Sequence, residues 1–274
     1  MKMKTLYVSD LDGTLLNSNQ EISVYTAAII AEAVNRGILF SYATARSYYS
    51  AKPATQNLKA EIPVILYNGT FIKDSVTQEI LVSNYFSKME IHDLSHYFSN
   101  FGFYPIVYAM KNNQEKFSYY PKKSTQQEMD FVATRNDERK NPLKNNENLY
   151  DGDVFYFSCI GEYDLLKTFY EDLKDQYHCL LSEDIYSHDW WLEVLPKNVS
   201  KAQAILQLKD YLKCDRIVAF GDGINDLSMF QIADESYAVA NACEELKSMA
   251  TGIIGHHDDD AVAKWLQEFV ISKL

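Results

Sequence analysis

Short apolar runs that stop abruptly in polar residues alternate along this chain with helical periodicities. The first run, Leu6-Tyr7-Val8, ends in Ser9-Asp10-Leu11-Asp12-Gly13 and predicts a buried strand. Residues 21–36 carry Val24, Ala27, Ala28, Ala31 and Val34 at helical spacing, with Gly37 as the stop. A second strand, 38–43, runs into Thr44-Ala45-Arg46-Ser47, and a third, 63–67, into Asn68-Gly69. Strand, helix, strand in that order is the βαβ unit of a parallel sheet. Such sheets bind ligands beyond the carboxyl ends of their strands, which puts Asp10 and Thr44 on one edge. The stretch FIKDSVTQEILV predicts a β-hairpin.

From residue 84 the texture changes. Ile91, Leu94, Phe98 and Phe101 mark an amphipathic helix, YPIVYAM a strand, and a polar stretch then extends to residue 153. GDVFYFSCIG predicts a strand, and 162–177 a helix with Leu165, Leu166, Phe169, Tyr170 and Leu173 on one face. HCLLSE predicts a further short strand. Residues 84–188 thus form an α+β insert, large enough to be a domain, within an outer domain of 1–83 and 189–274. Within it, 134–152 (TRNDERKNPLKNNENLYDG) is the most loop-like part, expected to be exposed and mobile. On the return, WWLEVLP predicts a strand and Lys201 opens a helix through Leu212. A buried strand, 217–220, then leads into Gly221-Asp222-Gly223-Ile224-Asn225-Asp226. SYAVAN, a helix at 243–250 and a last helix bearing Val262, Trp265, Leu266, Phe269 and Val270 close the chain.

Charge narrows the partners. With 38 acidic and 26 basic residues the net charge is -12, which argues against nucleic acid or an anionic membrane. A phosphorylated substrate must then be attracted locally, by a metal ion and a few Lys or Arg residues. Cys159, Cys179, Cys214 and Cys243 show neither zinc-site nor disulfide spacing. The first apolar run is too short for a signal peptide, and no run is long enough to span a bilayer. A cytoplasmic protein is expected.

Two carboxylates one residue apart at a strand end repel each other, and burial adds to the cost. Phosphoryl chemistry uses such a pair. One carboxylate can attack phosphorus, the second can move the proton, and a divalent cation relieves the repulsion. A turn in which Asp10 and Asp12 merely cap backbone groups is the alternative. A calcium loop fails, because Leu15 stands where its glycine belongs. Asp222 and Asp226, on a glycine-rich turn entering a helix, suit magnesium. Thr44 can hold a phosphate oxygen or cap a helix, and Asn68 reads as a turn residue.

DLDGTLL, ATARS, NVSK and AFGDGINDLSMF occur in the order found in the haloacid dehalogenase-like phosphatases. Together with YNGTFI, SYAVANACEELKSMA and the size of the insert, the chain resembles their Cof-type sugar-phosphate phosphatase branch over essentially its whole length. The resemblance implies an α/β fold: a Rossmann-like core with a parallel central sheet and an inserted cap that contributes specificity. It implies Asp10 as nucleophile and magnesium ligand, and Asp12 as general acid/base that binds Mg2+ through its carbonyl. Asp222 becomes the third ligand, with Asp226 behind it orienting metal-bound water. Thr44, the amides of Leu11 and Ala45, Lys201 and Asn225 would hold the phosphoryl oxygens. A cation near Asp10 would also keep the nucleophile ionised, although a first-turn lysine is more commonly exposed.

Two departures stand out. Relatives usually read Thr-Gly-Arg where this chain has Thr44-Ala45-Arg46, so the phosphate loop is expected to be slightly re-aimed. Relatives also place a glycine before the last helix, where Asp258-Asp259-Asp260-Ala261 stands here. His256 and His257 with those acids read as a solvated loop and helix start, not a second metal site. In the cap, Tyr119, Tyr120, Lys122, Lys123, Arg135, His178 and His188 are candidates to meet the leaving group, and equally candidates for plain surface or cap core. The expected activity is Mg2+-dependent hydrolysis of a small phosphorylated metabolite, a sugar, cofactor or nucleotide phosphate, by a monomer or weak homodimer. A phosphomutase on the same scaffold and a non-catalytic phosphometabolite-binding regulator are the alternatives. A dehalogenase would leave Asp12 without a purpose.

Overall fold

The computed structural model describes residues 3–58, 61–144, 147–184 and 187–273. The chain opens with β1 (Thr5–Ser9), α1 (Val24–Asn35), β2 (Leu39–Ala43), α2 (Tyr48–Ala54), β3 (Pro63–Leu66) and a hairpin of β4 (Phe71–Asp74) and β5 (Ile80–Ser83). It continues through α3 (Lys88–Asn100), β6 (Ile106–Lys111), β7 (Gln114–Tyr119), α4 (Gln126–Ala133), β8 (Lys140–Pro142), β9 (Asp153–Gly161), α5 (Tyr163–Leu173), β10 (His178–Glu183) and β11 (Trp190–Leu195). It ends with α6 (Lys201–Leu212), β12 (Arg216–Gly221), α7 (Leu227–Ile232), β13 (Glu235–Ala238), α8 (Glu244–Met249), β14 (Gly252–Ile253) and α9 (Ala261–Phe269).

Two compact units result, 1–83 with 200–274, and 84–199. The outer unit holds a sheet of order β14-β13-β12-β1-β2-β3-β4-β5, parallel from β14 to β3 and antiparallel in the hairpin. From β1 the chain steps outward through β2 and β3, then returns on the other side of β1 to step outward through β12, β13 and β14. The order therefore reverses at β1, and the carboxyl edge there is where such a sheet forms its crevice.

Alternation along β1 seats it between two layers. Leu6 and Val8 join Ile205, Leu208, Ile217, Ala219 and Met229 in one core. Tyr7 lies 6.3 Å from the Trp265 ring of α9, which also packs against Phe220 at 5.1 Å and Tyr237 at 4.5 Å. Both faces of β1 are thus covered, as a parallel sheet requires.

The inserted unit carries a sheet of order β10-β11-β9-β6-β7-β8, antiparallel except for the β7/β8 pair. Leu94 and Phe98 of α3 and Leu166, Phe169 and Leu173 of α5 pack with Val107, Phe157 and Val194 of the strands. Two expectations are corrected here. The Trp190–Leu195 strand pairs with β9 and β10, so it belongs to the inserted sheet, and the insert ends at residue 199 instead of 188. Its apolar pattern predicts a strand but says nothing of its neighbours.

The stretch 134–152 is likewise not simply loop. It contains β8, and Arg139, Leu143 and Leu149 are buried. Arg139 is only 4% exposed because Asp137 takes its Nε and Nη2 and Glu115 its Nη1, each at 2.8 Å. A composition of Asn, Lys, Asp and Arg imitates a solvated loop, and pairing is what allows the guanidinium inside. Within this stretch Asn145 and Asn146 lie outside the described residues. No helix among the described residues is long and apolar enough to cross a membrane.

Candidate active site

β1 and β12 run side by side and deliver their acids to one edge. The Asp10 amide donates to the Phe220 carbonyl at 2.9 Å, which extends the strand pairing to the first acid. Residues Leu11–Leu15 then form a tight turn closed by the Leu16 amide on the Leu11 carbonyl at 2.8 Å. Gly13 in this turn has φ +72°, and a Cβ there would strike the Asp222 carboxylate. Glycine is required for both reasons. The next residue ties the two motifs together, its Thr14 hydroxyl donating to Asp222 Oδ1 at 2.7 Å.

The carboxylates of Asp10, Asp222 and Asp226 converge, one oxygen from each lying within 4.8 Å of the others. Lys201 enters from the first turn of α6, whose start is capped by the Ser200 side chain. It is 1% exposed, and its Nζ donates to Asp10 Oδ1 at 2.5 Å and to Asp226 Oδ1 at 2.7 Å. This is no surface lysine. Asp226 is fully buried, and its Oδ2 accepts from the amides of Asp222 at 2.9 Å and Gly223 at 3.0 Å. It therefore clamps the 222–226 loop with one oxygen and holds Lys201 with the other. Gly221 is needed beside it, since a Cβ there would meet Asp226 Oδ2 at 2.7 Å.

Three carboxylates around one ammonium leave excess negative charge. Burial pushes the Asp10 carboxyl well above the usual carboxylate range; Lys201 opposes the shift, and Asp226, Asp222 and Asp12 add to it. Burial and Asp226 push Asp222 up to about 7, against the Thr14 hydroxyl bond and Lys201. For Lys201 burial works against the charged form, but Asp10 and Asp226 outweigh it and hold the ammonium above the usual lysine value. An all-oxygen, electron-rich donor set with one half-buried member and uncompensated charge fits a hard divalent cation such as Mg2+.

Asp12 points elsewhere. Its carboxylate takes a two-point contact from Arg46, Nε to Oδ2 at 2.8 Å and Nη2 to Oδ1 at 2.5 Å. Arg46 stood in the second motif but received no role from the sequence; only the fold brings its fork onto Asp12. Thr44 is buried, and its hydroxyl accepts from the Arg46 amide at 3.0 Å. The helix cap expected there is instead Ser47, which accepts from the Ser50 amide at 3.1 Å. Ala45 is not among the non-glycine residues with positive φ, so alanine sits there without backbone strain. Asn68 has φ +52° in a tight turn and donates its amide to the Thr44 carbonyl at 2.9 Å. Asn225 is half-buried on the 222–226 loop.

The cap candidates scatter. Tyr119 and Tyr120 are buried, and the Tyr120 hydroxyl donates to the Glu147 carbonyl. Lys122 is exposed, as is Lys123, whose Nζ lies 4.2 Å from the Tyr104 ring centroid. The Arg135 guanidinium lies 3.4 Å from the Phe131 ring centroid. His178 is lowered below the usual imidazole value by burial, and exposed His188 faces Glu183 at 3.1 Å. Nothing in these contacts gathers the seven into one site.

Four acids and one buried lysine at the reversal point of a largely parallel sheet suit phosphoryl-transfer chemistry, and the comparisons give the class. The chain belongs to the haloacid dehalogenase-like hydrolases, whose family model matches residues 7–266. It is 29% identical to the 5-amino-6-(5-phospho-D-ribitylamino)uracil phosphatase YwtE of Bacillus subtilis, over 95% of this chain and 96% of that protein. Among solved structures it resembles TM0651 of Thermotoga maritima, with a TM-score of 0.78 and 23% identity over 98% of each chain. A haloacid dehalogenase-like hydrolase from B. subtilis aligns with a TM-score of 0.77 and 21% identity, over 98% of this chain and all of that one.

Proposed function

We propose that the protein hydrolyses small phosphomonoesters with Mg2+, through a phosphorylated Asp10. The observation that carries this reading is the buried Lys201 bridge between Asp10 and Asp226, with Asp222 alongside. Asp10 and Asp222, with the Asp12 carbonyl, would hold Mg2+, which when bound neutralises charge on the phosphoryl oxygens.

An Asp10 carboxylate oxygen attacks phosphorus as the ester P–O bond breaks, and Asp12 gives the leaving oxygen its proton. Asp12 must come off Arg46 to reach that oxygen. In the second half Asp12 takes a proton from water, the resulting hydroxide attacks phosphorus, and the acyl P–O bond breaks to free phosphate and the Asp10 carboxylate. Lys201, the Thr44 hydroxyl proton, the amides of Leu11 and Ala45 and the Asn225 side chain hold the phosphoryl oxygens. Asp226 positions Lys201. The insert supplies specificity, and the enzyme acts as a monomer or weak homodimer in the cytoplasm.

The relative's substrate, a ring carrying a phosphorylated polyol chain, and the 20 tyrosines and 14 phenylalanines of this chain favour a ring-bearing phosphate. The test is phosphate release from sugar phosphates, nucleotides and cofactor phosphates, among them 5-amino-6-(5-phospho-D-ribitylamino)uracil, with and without Mg2+. Release that needs both Mg2+ and Asp10 supports the reading. Release by Asp10→Asn at the parent rate would sink it.

A further inference from the structure

A second cluster of ligand atoms lies outside the acidic site. His256, His257 and Asp258 stand where the chain turns into α9, and one ligand atom from each lies within 4.8 Å of the others. Asp258 Oδ2 is 3.7 Å from His256 Nδ1 and 3.8 Å from His257 Nε2. Two ligands about 2.1 Å from one ion at a tetrahedral angle lie about 3.4 Å apart. Each imidazole thus stands close to the separation from Asp258 that a shared ion would set.

Groups outside the trio prepare it. His257 Nδ1 lies 2.8 Å from the Leu16 carbonyl, which can only accept. Nδ1 therefore carries a proton, and Nε2 is the ring nitrogen that faces Asp258. A backbone carbonyl behind a histidine is the usual support of a metal-ligating imidazole. The His257 side chain is 13% exposed, so its orientation is held. Ser18 fixes the carboxylate, its amide on Asp258 Oδ1 and its hydroxyl on Oδ2, both at 2.7 Å. His256 Nδ1 accepts a long 3.3 Å bond from the Asp258 amide, which an ion at that nitrogen would replace, and the side chain is 45% exposed.

Spacing alone reads these residues as a solvated loop; on their gathering in the fold we instead propose that His256, His257 and Asp258 form a second metal site, for a transition ion such as Zn2+, Ni2+ or Co2+. Two imidazoles and one carboxylate select such borderline ions over Mg2+, which takes oxygen donors. The His256 and Asp258 side chains are 45% and 42% exposed, so an ion can reach them from solvent. The site hangs on the turn that carries Asp12: the His257 amide donates to Asn241 Oδ1 at 3.1 Å, and Asn241 Nδ2 donates to the Gly13 carbonyl at 2.8 Å. An ion bound there braces that turn from behind.

The test is a Co2+ titration of the full chain in saturating Mg2+, read by visible absorption and calorimetry. One Co2+ per chain is expected, bound at least tenfold more weakly by His257→Ala and Asp258→Asn and unchanged by Asp222→Asn. His256→Ala, on an exposed ring, repeats the measurement with little risk to folding. Equal binding by the parent and both histidine variants, binding lost in Asp222→Asn, or no binding below millimolar Co2+ would each overturn the proposal.

Discussion

Arg139 in the inserted unit and Lys201 in the outer unit are both buried cations held between carboxylates, yet their surroundings differ in kind. Around Arg139 the guanidinium meets Asp137 at two points and Glu115 at one. Asp137 is held below its usual carboxylate value, chiefly by its hydrogen bond from Arg139. Around Lys201 one ammonium faces Asp10 and Asp226 directly with Asp222 alongside, and Asp10 and Asp222 are pushed up. The first network holds its guanidinium at three points, with Asp137 kept ionised, and stabilises the fold as it stands. The second is left short of positive charge, which a scaffold would not need and a bound cation and phosphoryl group would supply. That contrast separates a structural ion pair from a reaction site.

Substitutions should divide along the same line. Asp10→Asn is expected to lower phosphate release by roughly 10³-fold or more while the protein still folds, because it removes the attacking oxygen. Lys201→Ala should lower turnover about 10²-fold, as seen when one charge-stabilising donor is removed. Arg139→Ala should do the reverse. It removes the buried guanidinium that Asp137 and Glu115 share and is expected to cost about 3 kcal/mol in urea unfolding, with kcat within about twofold of the parent. Equal activity losses for Lys201→Ala and Arg139→Ala would erase the distinction.

The pH response sharpens it further. A carboxyl held up at about 7, as at Asp222, keeps a proton in the folded state that the unfolded chain releases near pH 4. This group therefore costs the metal-free fold stability as pH rises from about 4 to about 7. Asp137 has the opposite sign: its stabilisation is present at neutral pH and lost as acid protonates it. The Tm gain on adding Mg2+ is expected to grow as pH rises through about 7, since Mg2+ then no longer competes with a proton. A gain that shrinks with pH would contradict the excess-charge reading. Smallest of all, Ala45→Gly should leave kcat/KM within about twofold and cost at most about 1 kcal/mol, because Ala45 has no positive φ to relieve.

Asp260 shows how a departure from the family pattern is absorbed. It has φ +56°, a conformation glycine would adopt freely, but its carboxylate accepts from the Ser23 hydroxyl at 2.5 Å and the Thr26 hydroxyl at 2.8 Å. Aspartate tolerates the left-handed region better than most residues, and these bonds lock it there.

Much of the molecule was legible in the order of residues alone. Unbroken apolar runs marked the strands at Leu6 and Ile217, because a strand covered on both faces leaves a direct trace in sequence. Acids at strand ends marked the reaction edge, because a parallel sheet presents those ends together. The pairing of side chains distant in sequence was decided only in three dimensions. The burial of Arg139, the grip of Arg46 on Asp12, the membership of Trp190–Leu195 in the inserted sheet and the gathering of His256, His257 and Asp258 all depend on it. Local composition records whether a residue is polar; whether that polarity is solvated, paired or poised for a ligand depends on neighbours that only the tertiary fold brings near.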